Sequence, residues 1–256
     1  MTNRVIVVKA GFFQIWLSLI TLKQTEREYR VRKDRKMRKK EKRIISWGSL
    51  LVLTFLVWTG LVMSVDVQPL GQNGTDIGFA TFNRWFHQLT GVHLMLYHIT
   101  DWLGLVPVAV CMMFGGIGFG QMIKRKSLWK VDRDLMILGV YYVIVILCYL
   151  VFEMIPINYR PILIEGRMEV SYPSSTTLLV LCVMPTLIEQ MNRRMKSDII
   201  KKVIQWCVVL FSGFMVIGRL ISGVHWMTDI VGGALLSAGL FTVYYGIVVW
   251  CCSKKK

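Results

Sequence analysis

The chain has 256 residues, 54% of them hydrophobic, with a mean hydropathy of +0.51 and a formal net charge of +16. That hydropathy is high for a soluble domain of this size. The charge first suggests a nucleic-acid binder, but no polar groove with interleaved basic and aromatic residues is present, so a nucleic-acid partner is excluded.

Residues 1–43 read as a basic N-terminal cytoplasmic segment in which a short stretch, Val5–Leu22, is apolar but broken by Lys9 and Gln14. That stretch reads as an interfacial helix, a signal-like segment or an extra span, or as an addition ahead of a start at Met37. Residues 23–43 follow as a basic cytoplasmic segment. Six apolar blocks come next, at 44–65, 102–123, 135–157, 173–191, 203–221 and 229–250. Each is about as long as a helix needs to cross roughly 30 Å of hydrocarbon, and none carries the polar stripe of a soluble helix. The expectation is an all-α, polytopic membrane protein of six transmembrane helices in one bundle. The domain runs over 44–251, and 252–256 form a basic tail.

Charge orients the bundle. Of the 31 Lys and Arg, twelve lie in 23–43, five in 124–133, five in 193–202 and three in 254–256. Threading six spans puts all of these on one side, which the retention of positive charge in inner loops identifies as the cytoplasm. Arg84, Arg160, Arg167 and Arg219 fall on or near the outer side. The location expected is the plasma membrane, with both ends of the six-span core cytoplasmic.

The segment 66–101 contains turn residues and then Phe79, Phe82, Trp85 and Phe86 among polar residues, a pattern that predicts an interfacial helix. Asn73-Gly74-Thr75 matches a glycosylation sequon on that side. The six cysteines lie in spans or at the inner end of the last, so no disulfide framework is implied. Cys251 and Cys252 read as apolar filler rather than acylation sites. Gly115, Gly116, Gly118, Gly120, Gly232 and Gly233 permit close helix contacts, within one chain or between chains; an oligomeric state is not specified.

Ionisable residues within spans are few: Glu153, Arg219 and Asp229 near outer ends, Glu189 near an inner one. Charge in lipid is expensive, so three such residues at one depth point to a shared outer cavity. The segments flanking it are Asn158-Tyr159-Arg160-Pro161, then Pro173-Ser174-Ser175-Thr176-Thr177, then Gly218-Arg219 followed by Ser222 to Asp229. Two guanidiniums match phosphate oxygens as planar forks. Ser174 is placed to cap the fourth span, whose free N–H groups attract an anion. His225 and Asp229 are neighbours if one helix carries both, and a carboxylate beside an imidazole orients it. His93, His98 and Asp101 are unevenly spaced and read as interfacial packing; no metal ligand set is found.

These segments resemble the three signature blocks of the type-2 phosphatidic acid phosphatase superfamily: Lys, six residues, Arg-Pro; Pro-Ser-Gly-His; and Ser-Arg, five residues, His, three residues, Asp. The resemblance implies a metal-independent membrane hydrolase that needs no cofactor and acts on a phosphorylated lipid. It implies His225 as the nucleophile, Asp229 as its orienting partner, and Arg160, Ser174, Ser175 and Arg219 as phosphate binders. The chain departs from the pattern at Glu153 for Lys, Ser175 for Gly, Thr176 for the second His and Gly218 for Ser. Thr176 therefore stands where the family has the acid that protonates the leaving group, and Glu153, Glu165 or Glu169 are candidate substitutes. Alternatives are a catalytically degenerate lipid-phosphate binding or transport protein, and a lipid phosphotransferase.

Overall fold

A computed structural model describes Thr25 and residues 38–252; most of the N-terminal expectations and the basic tail lie outside the described residues. Two units are distinguished, 1–43 and 44–256, and the second holds the candidate site.

All regular structure among the described residues is helical, with three isolated β-bridges besides. Helix α1 runs Arg38–Ser64, α2 Ala80–Thr90, α3 Leu94–Leu103, α4 Leu105–Arg125, α5 Arg133–Met154, α6 Ser175–Arg194, α7 Asp198–Ile221 and α8 Met227–Cys252. Five helical stretches are long and apolar enough to cross a membrane: α1, α3 with α4 (Leu94–Arg125), α5, α7 and α8. The chain is an integral membrane protein with an all-helical fold.

The expected span at 173–191 coincides with α6, which is not among those five. Its place in the bundle accounts for the difference. It packs against α4, α5, α7 and α8, and Thr177, Thr186, Glu189 and Gln190 on it are buried. Thr186 Oγ1 meets Tyr142 Oη at 2.7 Å, and Tyr244 Oη donates to Glu189 Oε2 at 3.3 Å. A helix enclosed by other helices is solvated by protein, so it tolerates polar side chains that a lipid-facing helix excludes. Such bonds contribute about 0.6 kcal/mol each in a membrane interior and fix helix rotation as much as they stabilise.

Helices α3 and α4 meet at Gly104, whose N–H is shared between the carbonyls of Thr100 and Asp101. Pro107 sits in the first turn of α4, where its missing N–H leaves no helical bond unmade. On helix α2, Phe82, Trp85 and Leu89 are exposed, whereas Asn83 is buried and donates to Gly78 O and Thr228 Oγ1.

The two ends of the bundle differ. At one, Arg194 pairs with Asp134 at 2.6 Å and Arg125 with Asp132 at 2.9 Å, tying the α4–α5 and α6–α7 connections together. At the other, the long α5–α6 loop packs on the α7–α8 turn. Tyr172 anchors that loop: it is buried, lies between Phe55 and Phe152, and bonds Thr59 Oγ1 at 2.7 Å. A Cβ at Gly232 would stand 2.7 Å from the Tyr172 ring, so the absence of a side chain there lets the loop reach α8.

Candidate functional site

The α7–α8 turn is pinned from several directions. His93 N donates to Ser222 O at 2.9 Å, His87 Nε2 lies 3.1 Å from Gly223 O, and the Trp226 indole donates to Tyr159 O at 2.8 Å. Gly223 has φ +70°, and a Cβ there would lie 2.1 Å from Gly91 O; only glycine fits the conformation and the space. This fixes the entry of His225.

His225 and Asp229 do not share a helix face, because α8 begins at Met227. Asp229 lies in the first turn, where one oxygen accepts the Trp226 N–H at 2.9 Å, half of a capping box. The same oxygen accepts from the Ser171 hydroxyl, and the other accepts from Asn158 Nδ2 at 3.1 Å. His225 Nδ1 is 3.8 Å from that carboxylate, too far for a hydrogen bond. It lies instead 3.1 Å from Ser171 Oγ and 3.2 Å from Ser171 O. Burial pushes the His225 imidazole down to about 4; Asp229 opposes the shift, while Arg160 and Arg219 reinforce it.

Arg219 comes from the last turn of α7 and is 1% exposed. One terminal nitrogen donates to Asp101 Oδ1 at 2.7 Å and to Thr176 Oγ1 at 2.5 Å. Arg160 lies in the α5–α6 loop rather than on a helix and pairs with Glu169 at 3.1 Å. Both guanidiniums stand over the Tyr97 ring, at 4.8 Å for Arg219 and 5.6 Å for Arg160, which adds cation–π attraction. Ser174 caps α6 as expected, accepting from Thr177 N, and its own N–H donates to Asp229 O at 3.1 Å.

What remains unpaired is informative. Nε and NH1 of Arg160, Nε and NH1 of Arg219, and Nε2 of His225 are all buried without a hydrogen-bond partner. Leaving a buried donor unmade costs about 1–3 kcal/mol, more when it is charged. Four guanidinium nitrogens held open beside an open imidazole nitrogen suit a tetrahedral oxyanion such as phosphate. Beside Thr176 lies a cavity of about 300 Å³, lined by Asp101, Ser175 and Thr176 and by apolar side chains including Leu105, Val145 and Leu179. Glu153 borders a small cleft with Ser171 and Ser175. Among the described residues no cluster of three or more His, Cys, Asp or Glu could hold a metal ion.

The structure thus brings together Arg160, Thr176, Arg219, His225 and Asp229 and sets Ser174 and Ser175 at the start of α6. Asp101, read from the sequence as packing, is an ion-pair partner of Arg219. Its signal was present, as a lone carboxylate in a 32-residue apolar stretch. Ser171, Asn158 and Tyr97 gave no spacing signal, because their roles arise from a loop folding back and from a helix outside the motifs. Glu165, at the tip of the α5–α6 loop with φ +50°, has no contact with the site; Glu169 joins it through Arg160.

No curated protein sequence matches the chain. Among solved structures, a transmembrane PAP2-type phosphatidylglycerolphosphate phosphatase from Bacillus subtilis has the same fold. It is similar at 17% identity and a TM-score of 0.59, covering 82% of this chain and 98% of that one. The family model described as the PAP2 superfamily matches residues 135–252, which contain all three motif segments. That region holds both arginines, the histidine and the aspartate of the site, and over it the chain is similar to the PAP2 superfamily.

Proposed function

We propose that the chain is a lipid phosphate phosphatase that works at the extracytoplasmic face through a phosphohistidine on His225. The observation that carries this reading is the set of buried, unpartnered nitrogens on Arg160, Arg219 and His225. The solved PAP2-type phosphatase with this fold supports a phosphorylated lipid as substrate. The outer location rests on the crowding of Lys and Arg into 23–43, 124–133 and 193–202, with α6 completing a six-span core.

In the reaction, guanidinium N–H groups of Arg160 and Arg219 hold the non-bridging oxygens, and the N-terminus of α6 adds its dipole. The His225 Nε2 lone pair attacks phosphorus and the bond to the leaving oxygen breaks. The ring, now bonded to phosphorus at Nε2, carries positive charge that the buried Asp229 carboxylate offsets. Water then attacks phosphorus, the N–P bond returns its electron pair to Nε2, and both protons of the water leave with the product as dihydrogen phosphate. Positioning and charge stabilisation supply most of the acceleration.

Thr176 cannot protonate a departing alkoxide. General acid catalysis contributes about 10²–10⁴-fold, so its loss penalises simple monoesters. A lipid diphosphate avoids the penalty because the departing lipid phosphate is already a stable anion; we therefore favour a polyprenyl or similar diphosphate. A second reading, a phosphate-binding protein without turnover, draws on Glu153 in place of lysine and on Thr176. Phosphate release in detergent from phosphatidate and from a polyprenyl diphosphate, by the wild type and His225→Ala, separates the two. Release by the wild type that vanishes in the variant supports the enzyme; equal release from both proteins, or none from either, rejects it.

A further inference from the structure

The contact that orients the imidazole is not with the carboxylate. We propose that Ser171 is a positioning residue that couples Asp229 to His225 and fixes which ring nitrogen is free to attack. The inference rests on the reading of His225 Nε2 as nucleophile, and hydrogen-bond arithmetic carries it. A serine hydroxyl has one proton, and Ser171 Oγ gives it to Asp229 Oδ2. At its 3.1 Å contact with His225 Nδ1 the same oxygen can only accept. The other neighbour of Nδ1, the Ser171 carbonyl at 3.2 Å, is also only an acceptor. Nδ1 therefore carries the proton, and Nε2, which has no partner, presents a lone pair.

One residue thus meets Nδ1 twice, through its carbonyl and through its hydroxyl, and the hydroxyl alone connects the ring to Asp229, 3.8 Å away. The link has a directional consequence. As the ring becomes positive on phosphorylation, the Nδ1–H···Oγ and Oγ–H···carboxylate bonds both strengthen, since each polarises the other. No proton has to move. Asp229 is held for this task by Asn158 Nδ2 and the Trp226 N–H, which fix the orientation of its carboxylate. The charged groups acting on the ring are Asp229 from α8, Arg219 from α7 and Arg160 from the α5–α6 loop. All three are unchanged in the variants below, so differences among those report the hydroxyl alone.

The test uses the full chain in detergent with ring-¹⁵N histidine, the His225 resonances being assigned by difference against His225→Asn. Wild type should show a protonated Nδ1 and a bare Nε2. In Ser171→Ala the carbonyl can still hold the tautomer, but the coupling to Asp229 is gone. The titration midpoint of His225 should fall, and kcat for a lipid diphosphate should drop about 10- to 100-fold, the effect of one lost bond to a charged group, with KM within about twofold. Ser171→Thr, which restores a hydroxyl, should recover most of both. Should the alanine variant not fold, Ser171→Cys, with its weaker donor, should show the same changes at smaller size. An unchanged midpoint, or a raised one with undiminished turnover because Asp229 now meets the ring directly, overturns the proposal. If the wild type has no turnover at all, the enzymatic reading fails while the tautomer and midpoint still decide the role of Ser171.

Discussion

Asp101 Oδ1 lies 2.7 Å from a terminal nitrogen of Arg219, 118 positions later in the chain. The aspartate is 57% exposed and the arginine 2% in their side chains. The carboxylate therefore approaches the buried guanidinium from the accessible side, where an anionic substrate must also arrive, and its charge opposes that of phosphate.

Asp101→Asn keeps an acceptor for Arg219 and removes that charge. The carboxylate is the exposed partner, so solvent screens its charge and the effect is about 0.2–1 kcal/mol. KM for a lipid phosphate should fall two- to five-fold or less, with kcat little changed, in steady-state assays across a substrate series. An increase in KM would mean that Asp101 serves to orient Arg219 instead.

Thr176 now accepts a bond from Arg219, and an imidazole at that position offers both an acceptor for the arginine and a proton for the leaving group. Thr176→His should raise turnover of phosphatidate at least tenfold, toward the lower part of the range for general acid catalysis. The diphosphate, which needs no acid, should gain far less. Equal changes for both substrates would count against the leaving-group argument.

Acidification probes the burial of His225. Its imidazole is depressed from 6.5 to about 4, so the folded protein stays unprotonated there while the unfolded chain takes up a proton. The native state therefore loses stability as pH falls from about 6.5 to about 4, and no further from this group below that. Thermal unfolding in detergent should show this loss in the wild type and less of it in His225→Asn. A His225 midpoint near 6.5 by NMR would contradict the burial argument.

Gly223 tests how the turn sets the histidine. Alanine would be forced to φ +70° with its Cβ 2.1 Å from Gly91 O. Strain of this type costs about 1–3 kcal/mol, so Gly223→Ala should lower the unfolding temperature and also depress activity by shifting His225. Gly115→Ala, where a Cβ meets nothing within 4 Å, should do neither.

Much of this arrangement was legible in the sequence. Apolar run length located α1, α4, α5, α7 and α8, because lipid imposes one solvent along each of them. Helix α6, read as a sixth span, is less apolar than those five, and its surroundings are side chains of four other helices. Motif spacing singled out Arg160, Arg219, His225 and Asp229, and the fold brings them to one end of the bundle. It could not locate Ser171 or Asn158, which reach Asp229 only because Tyr172 anchors the loop against Phe55 and Phe152. Nor could it find Tyr97, contributed by a helix that lies outside every motif. Periodicity makes His225 and Asp229 neighbours only if one helix carries both; the helix starts between them, at Met227, and a serine stands in the gap.

The phosphoenzyme itself offers the most direct measurement. The full chain in detergent is mixed briefly with a polyprenyl diphosphate labelled in its terminal phosphate, quenched in alkali, digested and analysed by mass spectrometry. The account predicts label on the peptide carrying His225, bonded to nitrogen and lost in acid, and no label in His225→Ala. Turnover with label on another residue, or turnover that survives the His225→Ala substitution, would contradict it.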